Sequence, residues 1–242
     1  MQLTRKKQKS LLLSLIYKTM FNPLTGRIAL KSKFEFFLYL TWIFDRLAYN
    51  ASYQYYQALH HPGRQLTSEF LLPHIDESFS VLDLGCGYGH YSSLIGGKAR
   101  KVVGVDYNKT YIEMANAKYR SSNVEFHCDD ALRFLERSEE RFDVLVLAHV
   151  LEHLDHPEEF LRSFSSHFNY IYIEVPDFHK DQLQIFRKDL HTPYIYTDED
   201  HVSEFERTEL RQILLNCGLS VIDERYFAGN QYLWLETGSN RA

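Results

Sequence analysis

The sequence predicts an α/β fold: a doubly wound, mostly parallel seven-stranded sheet with a helical N-terminal extension. Three observations support this. From about residue 70, short β-branched runs alternate with polar stretches of helical length, the pattern of successive βαβ units. The first of these runs leads directly into glycines at every second position and then into a helix-like segment. By contrast, the stretch from Leu30 to His60 has no Gly or Pro and is dense in aromatic residues, which predicts one or two helices ended by His61-Pro62-Gly63. A chain of 242 residues is long enough for one well-buried domain with an appended segment. Residues 1–70 are therefore expected to form a helical extension that caps a pocket, and residues 71–242 the α/β domain.

The expected strands are Ser80–Leu84, Lys101–Val105, Val124–His127, Phe142–Ala148 and Tyr170–Val175, with two more at Leu219–Asp223 and Gln231–Glu236. Between them, helices fit at Tyr88–Ile95, Lys109–Tyr119, Ala131–Arg137, Pro157–Phe168 and Thr208–Asn216, the last stopped by Gly218. Pro176 to Phe205 is polar, holds several His and Asp, and shows no clear period. A connection of that length inside a domain is usually functional or mobile.

Charge and cysteine content exclude several classes. The three cysteines, Cys86, Cys128 and Cys217, form no C-x-x-C pair, so neither a disulfide framework nor a thiolate zinc site is indicated, and a reducing cytoplasmic setting is expected. The net charge of −5 is unevenly spread: residues 1–34 carry eight basic groups and no acid, and the remaining 208 carry a balance of −13. An acidic body is a poor general binder of nucleic-acid backbones, which need Lys and Arg to neutralise phosphates. The apolar runs Leu11–Ile16 and Phe36–Phe44 are too short to span a membrane. They read as amphipathic helix faces that either pack on the protein or lie on an anionic membrane surface through the basic N-terminus.

The chemistry concentrates in "VLDLGCGYGHY" and "VVGVDY". In the first, Gly85, Gly87 and Gly89 follow a buried strand, so the backbone can turn tightly and a ligand can approach it without meeting a Cβ. In the second, Asp106 ends the next strand, 17 residues after Gly89, where a carboxylate can accept hydrogen bonds from both hydroxyls of a ribose. Together they predict a nucleoside-cofactor site. The G-x-G-x-G spacing differs from the G-x-G-x-x-G of dinucleotide sites.

At these residues the sequence resembles the class I S-adenosylmethionine-dependent methyltransferases, whose Rossmann-like fold carries a first motif similar to "LDLGCGxG". The likeness continues through "VEFHCDDA", "RFDVLVLAHVLEHLDHPEEFL" and "YIYIEVPDF" and covers about Ser80 to Glu236; residues 1–70 match no family pattern. It implies S-adenosyl-L-methionine as cofactor, with Gly85, Gly87 and Gly89 facing its methionine part and Asp83 beneath the loop helping to hold its amino group. It also implies Asp106 on the ribose, Tyr107 on the adenine face, Asp130 or its neighbour Asp129 accepting from the adenine amino group, Ala131 lending a backbone N–H, and Ala148 at the pocket. Asp130 reads equally as a helix N-cap. Tyr88 and His90 are open between ligand contact and helix-start packing.

"AHVLEHL" contains H-x-x-E-H, the inverted zinc-peptidase order, but it follows a nucleotide loop and the fourth expected strand, where a peptidase helix has no place. Three readings stay open. His149, Glu152 and His153 shape the pocket edge; His149 or His153 is a general base; or these residues and a later His hold a divalent metal, although no metal is assigned. In "YTDEDHVSEF", His201 and Glu204 are candidates for base or for binding a sugar hydroxyl, or His201 merely caps the last helix. Asp177 and His179 fall on the same rim. The resemblance favours O-methylation of a small molecule or sugar, surface-polysaccharide or lipid-linked acceptors included. Two alternatives are a metal-assisted RNA 3′-end methyltransferase and a non-catalytic cofactor-binding partner protein.

Overall fold

In the computed structural model, residues 10–21, 30–56, 60–138 and 140–238 are described. The basic residues Arg5, Lys6, Lys7, Lys9 and Arg27 lie outside them. Strand β1 (Ser80–Leu84) is buried at all five positions, and β4 (Val144–Ala148) at all but its last. Near-continuous apolar runs of this kind suit strands covered on both faces, as parallel sheets are. With β2 (Lys101–Asp106), β3 (Val124–Cys128) and β5 (Tyr170–Pro176), they form the parallel part of a seven-stranded sheet of order β3-β2-β1-β4-β5-β7-β6. β7 (Asn230–Glu236) enters antiparallel beside β5 and pairs with β6 (Ser220–Phe227).

From β1 the chain steps outward to β2 and β3, then returns to place β4 on the other side of β1. This reversal leaves a crevice at the carboxyl ends of β1 and β4, where open α/β sheets bind ligands. Side chains alternate across the sheet. Leu82, Leu84, Val103, Val105, Leu145, Leu147, Ile171 and Ile173 fill one core, and Val81, Val102, Val144, Val146, Tyr172, Tyr232 and Trp234 the other.

The connecting helices are α4 (His90–Gly96), α5 (Lys109–Tyr119), α6 (Ala131–Arg137), α7 (Pro157–Phe164) and α9 (Arg207–Asn216). Helix α4 begins at His90, two residues later than expected, because Gly89 is still turning, with φ +75°. The helix expected over Pro157–Phe168 gives way to a 3-10 turn at Ser165–His167. The stretch from Pro176 to Phe205, expected to be a connection without secondary structure, holds helix α8 (Gln182–Asp189). Its N-cap Asp181 accepts from the backbone N–H groups of Leu183 and Gln184, and the residues it buries are the polar Gln184 and Arg187.

At the N-terminal end lie α1 (Leu11–Met20), α2 (Leu30–Tyr55) and α3 (Pro62–Leu71). His61-Pro62-Gly63 starts α3 as well as closing the aromatic stretch: the His61 ring accepts from Gly63 N–H, and Pro62 sits in the first turn, where its missing N–H costs nothing. Helix α3 packs Phe70 and Leu71 into the second core. Helix α2 is one 26-residue helix pinned over the loop before α9. Trp42 Nε1 donates to Tyr196 O at 2.8 Å, Arg46 pairs with Asp198, and Arg187 donates to Thr41 Oγ1 at 3.1 Å.

Beneath the glycine loop, Phe126 fills the space that two absent side chains leave. A Cβ on Gly104 would lie 2.7 Å from its ring and one on Gly89 2.6 Å. Phe126→Ala should leave a cavity there and cost about 3–5 kcal/mol, whereas Gly104→Ala should cost about 1–3 kcal/mol through overpacking. Urea unfolding of both variants checks this, and a loss under 1 kcal/mol for Phe126→Ala would show that the loop does not rest on that ring.

Candidate active site

The loop after β1 turns through three left-handed glycines, Gly85, Gly87 and Gly89. They serve different ends. A Cβ on Gly85 would stand 2.8 Å from Val150, so that glycine lets the loop approach the chain after β4. A Cβ on Gly87 would meet nothing within 4 Å and would project into open space. Asp106 holds this geometry: Oδ2 accepts from Gly87 N–H at 2.9 Å and Oδ1 from Asn108 N–H at 2.8 Å. Asp106, the acid expected to meet the ribose, thus braces the glycine loop.

Asp83 is buried at the end of β1 and accepts from Ser92 Oγ at 2.5 Å. Burial pushes its carboxyl up to about 7; the Ser92 hydrogen bond opposes the rise and nearby Asp106 adds to it. Tyr107 is 82 % exposed after β2, with its ring open to solvent. Asp130 is the N-cap of α6 and accepts from Arg133 N–H at 3.0 Å, while Asp129 accepts from Asp130 N–H and pairs with Arg137; Ala131 follows as the first residue of α6. Tyr88 packs on Tyr111, ring centroids 4.2 Å apart. The half-buried His90 meets the edge of Tyr119, and burial lowers its imidazole to about 4, which keeps it neutral.

Ala148 ends β4 beside Glu174 of β5. The next residue, His149, turns through φ +58°, rare for a residue with a side chain, and its N–H donates to Glu174 O at 2.8 Å. Its ring lies between two carboxylates, Nδ1 at 3.0 Å from Glu152 Oε1 and Nε2 at 3.3 Å from Glu174 Oε1. Burial opposes charge on this imidazole, but the two acids outweigh it and hold its pKa well above the usual histidine value. With both nitrogens engaged and its charged form favoured, His149 bridges the two acids as a clamp.

Glu174 is a centre that sequence reasoning missed, although a lone acid inside the apolar run "YIYIEV" was the available signal. Besides His149 it accepts from Thr67 Oγ1 (3.0 Å), Asn230 Nδ2 (2.8 Å) and Tyr172 OH (2.8 Å), joining α3, β5 and β7. Glu152 anchors the other side, its backbone carbonyl accepting from Val202 and Ser203 N–H.

That link brings "YTDEDHVSEF" to the site. His201 Nδ1 contacts Glu204 Oε1 at 3.0 Å and Thr197 Oγ1 at 3.1 Å, and its ring lies edge-on to His153, centroids 4.7 Å apart. His153 Nδ1–H donates to Asp200 O at 3.1 Å, which leaves Nε2 outside that bond. The histidines from the two motifs thus converge. They line a cavity of about 430 Å³ whose wall from α2 includes Trp42, Tyr49 and Tyr53, with Lys180 and Asn230 also on its lining. Asp177 and His179, expected on the same rim, are not among the residues that line it: Asp177 is taken up by Arg207, at 2.5 Å, and by His179 N–H, at 3.1 Å. A wider groove of 620 Å³, bounded by Asp155, Arg162 and Glu209, holds none of the expected cofactor residues.

The structure brings together the glycine loop, the buried Asp83 beneath it and Asp106 at the end of β2, the residues that the sequence analysis expects at a nucleoside-cofactor site. Comparison with known proteins agrees. Residues 54–224 match the family model of the methyltransferase domain, and the chain belongs to that family. The family is that of the S-adenosylmethionine-dependent methyltransferases of class I fold, whose cofactor is S-adenosyl-L-methionine.

Among curated proteins, the chain is similar to a ubiquinone biosynthesis O-methyltransferase of Coxiella burnetii (31 % identity over 85 residues, 34 % of this chain and 36 % of that protein). It is also similar to a malonyl-[acyl-carrier protein] O-methyltransferase of Bacillus cereus (30 % over 92 residues, 37 % and 34 %). The matched segments span about a third of these relatives. Among solved structures, the magnesium protoporphyrin IX methyltransferase of Synechocystis with bound S-adenosylhomocysteine shares the fold at TM-score 0.55 and 17 % identity, covering 72 % of this chain and 81 % of that one. A methyltransferase of Archaeoglobus fulgidus does so at 0.55 and 19 %, covering 72 % and 92 %.

If Asp83 holds the cofactor's amino group, it must be ionised to do so, and its raised pKa makes binding release a proton. Affinity is then weakest below pH 7 and reaches its plateau above it, tightening about tenfold from pH 6 to 8. Calorimetry in buffers of different ionisation heat measures this. Asp83→Asn should remove the pH dependence, and an unchanged slope in that variant would assign the proton elsewhere.

Proposed function

We propose that this enzyme methylates a hydroxyl of a small molecule or sugar in the cytoplasm, with the Glu204–His201 pair as proton acceptor and residues 1–70 contributing the cap of the acceptor cavity. The observation that carries this reading is the His201 Nδ1 contact with Glu204 at the cavity wall. A carboxylate on Nδ1–H orients the ring and turns Nε2 into the basic nitrogen. S-adenosylmethionine supplies an electrophilic methyl. Oriented opposite it, the acceptor oxygen gives its proton to His201 Nε2. His149, already charged, holds the end of β4 and the Glu152 turn in place, while the aromatic wall of Trp42, Tyr49 and Tyr53 suits stacking against a ring or sugar face. The O-methyltransferase names of the curated relatives support oxygen as the acceptor atom.

His201→Ala should lower kcat about 10²–10⁴-fold with cofactor affinity unchanged, and His153→Ala less. Full turnover in His201→Ala would end the assignment of that base.

A second reading has its own observation. Ligand atoms of Glu152, His153 and His201 lie within 4.8 Å of one another, and Oε2 of both Glu152 and Glu204 is buried without a partner. This donor set fits a divalent cation, which would polarise the acceptor hydroxyl in place of a base. Under the first reading activity survives chelator; loss in EDTA with recovery on adding Mg²⁺ or Mn²⁺ would favour the second.

A further inference from the structure

Helix α2 has two apolar faces. Leu38, Thr41, Trp42, Asp45 and Tyr49 fall on the side that meets α8 and the cavity, as the bonds from Arg187 and Trp42 and the cavity lining show. On the opposite side, at spacings of four, four and three residues, stand Phe36, Leu40, Phe44 and Leu47, which share one helical face. Phe44 is 63 % and Leu47 58 % exposed, and Leu40 is half-buried. Helix α1 adds to this: none of its residues is buried, and Leu11, Leu12, Leu15 and Ile16 all face solvent. Lys33 Nζ donates to Met20 O, which ties the end of α1 to the start of α2.

We propose that α1 and the outer face of α2 form a docking surface for an anionic lipid bilayer, which would bring the acceptor cavity to the membrane interface. Charge selects this occupant. The segment 1–34, at +8 with no acid, would be drawn to anionic headgroups, while the body at −13 is repelled from them, so the field orients the molecule with this end down. A second copy docking symmetrically would instead set one +8 segment against another. Among the described residues no helix is long and apolar enough to cross a membrane, and α2 carries Lys31, Lys33, Glu35, Asp45 and Arg46, so it lies on the surface. A helix is about 10 Å across, so a bilayer against one face of α2 is within that distance of the cavity wall on the other. The acceptor class that follows is amphipathic, with its hydroxyl-bearing head in the cavity and its apolar part in lipid. That last step rests on the cavity being the acceptor site; the docking surface does not.

The test is sedimentation of the full chain with vesicles of phosphatidylcholine alone and of phosphatidylcholine with 30 % phosphatidylserine. Binding is expected only with the anionic vesicles. It should fall at least tenfold in Phe44→Glu/Leu47→Glu and be lost in 0.5 M salt, with S-adenosylhomocysteine affinity unchanged as the control for folding. No binding of the native chain, equal binding by the double variant, or a dimer that the same substitutions dissolve would overturn it. Because no turnover is read, a failed base assignment at His201 leaves this result untouched.

Discussion

The site depends on one charged imidazole held between two buried carboxylates. His149 sits where β4 ends, and its contacts to Glu152 and Glu174 join the two central strands to the turn that carries the second motif histidine. A buried ion pair contributes little net stability, because desolvation consumes most of the Coulomb gain, yet removing one partner leaves a costly unpaired charge. The clamp therefore acts mainly on geometry. It holds a backbone turn at φ +58° that a β-bearing residue otherwise avoids, and it directs Glu152 so that its carbonyl can fasten residues 202 and 203.

The histidine-bearing wall of the cavity hangs from that fastening. The loop with Thr197, His201 and Glu204 is held to the turn from below by Glu152 and from above by α2 through Trp42 and Arg46. The cofactor side is organised separately. Asp106 braces the glycine loop, and Asp83 sits buried under it in a carboxyl that burial keeps part-protonated near neutrality. The two halves meet where Gly85 allows Val150, one residue beyond the clamp, to approach within contact distance. A side chain at Gly85 would push the halves apart, which ties this loop position to acceptor geometry as well as to backbone conformation.

Glycine spacing, the acid after β2 and the alternation of apolar and polar segments were all legible because each is a local requirement. A left-handed turn needs glycine, a doubly covered strand needs an unbroken apolar run, and a helix N-terminus takes an Asp such as Asp130. Helices α5 and α6 begin and end where their caps and flanking residues indicated. Helix α8 was not legible because the residues it buries, Gln184 and Arg187, are polar, so no buried apolar face marks it in so short a segment. The start of α3 was read only as a stop, since His61-Pro62-Gly63 serves both ends.

By itself, then, the sequence determined the sheet, its parallel sense and the class of cofactor, because those follow from patterns repeated over a few residues. It also determined the opposition between a basic N-terminal segment and an acidic body, which is simple counting. Only the tertiary structure decided which groups face each histidine. His149, His153 and His201 are alike in sequence as titratable rings near a sheet edge. His149 is charged and occupied because Glu174, a residue 25 positions away, reaches it, and His201 is oriented because the chain folds Glu204 back onto its Nδ1. The protonation state of a side chain is set by the charges and burial around it, and those come from contacts distant in the chain.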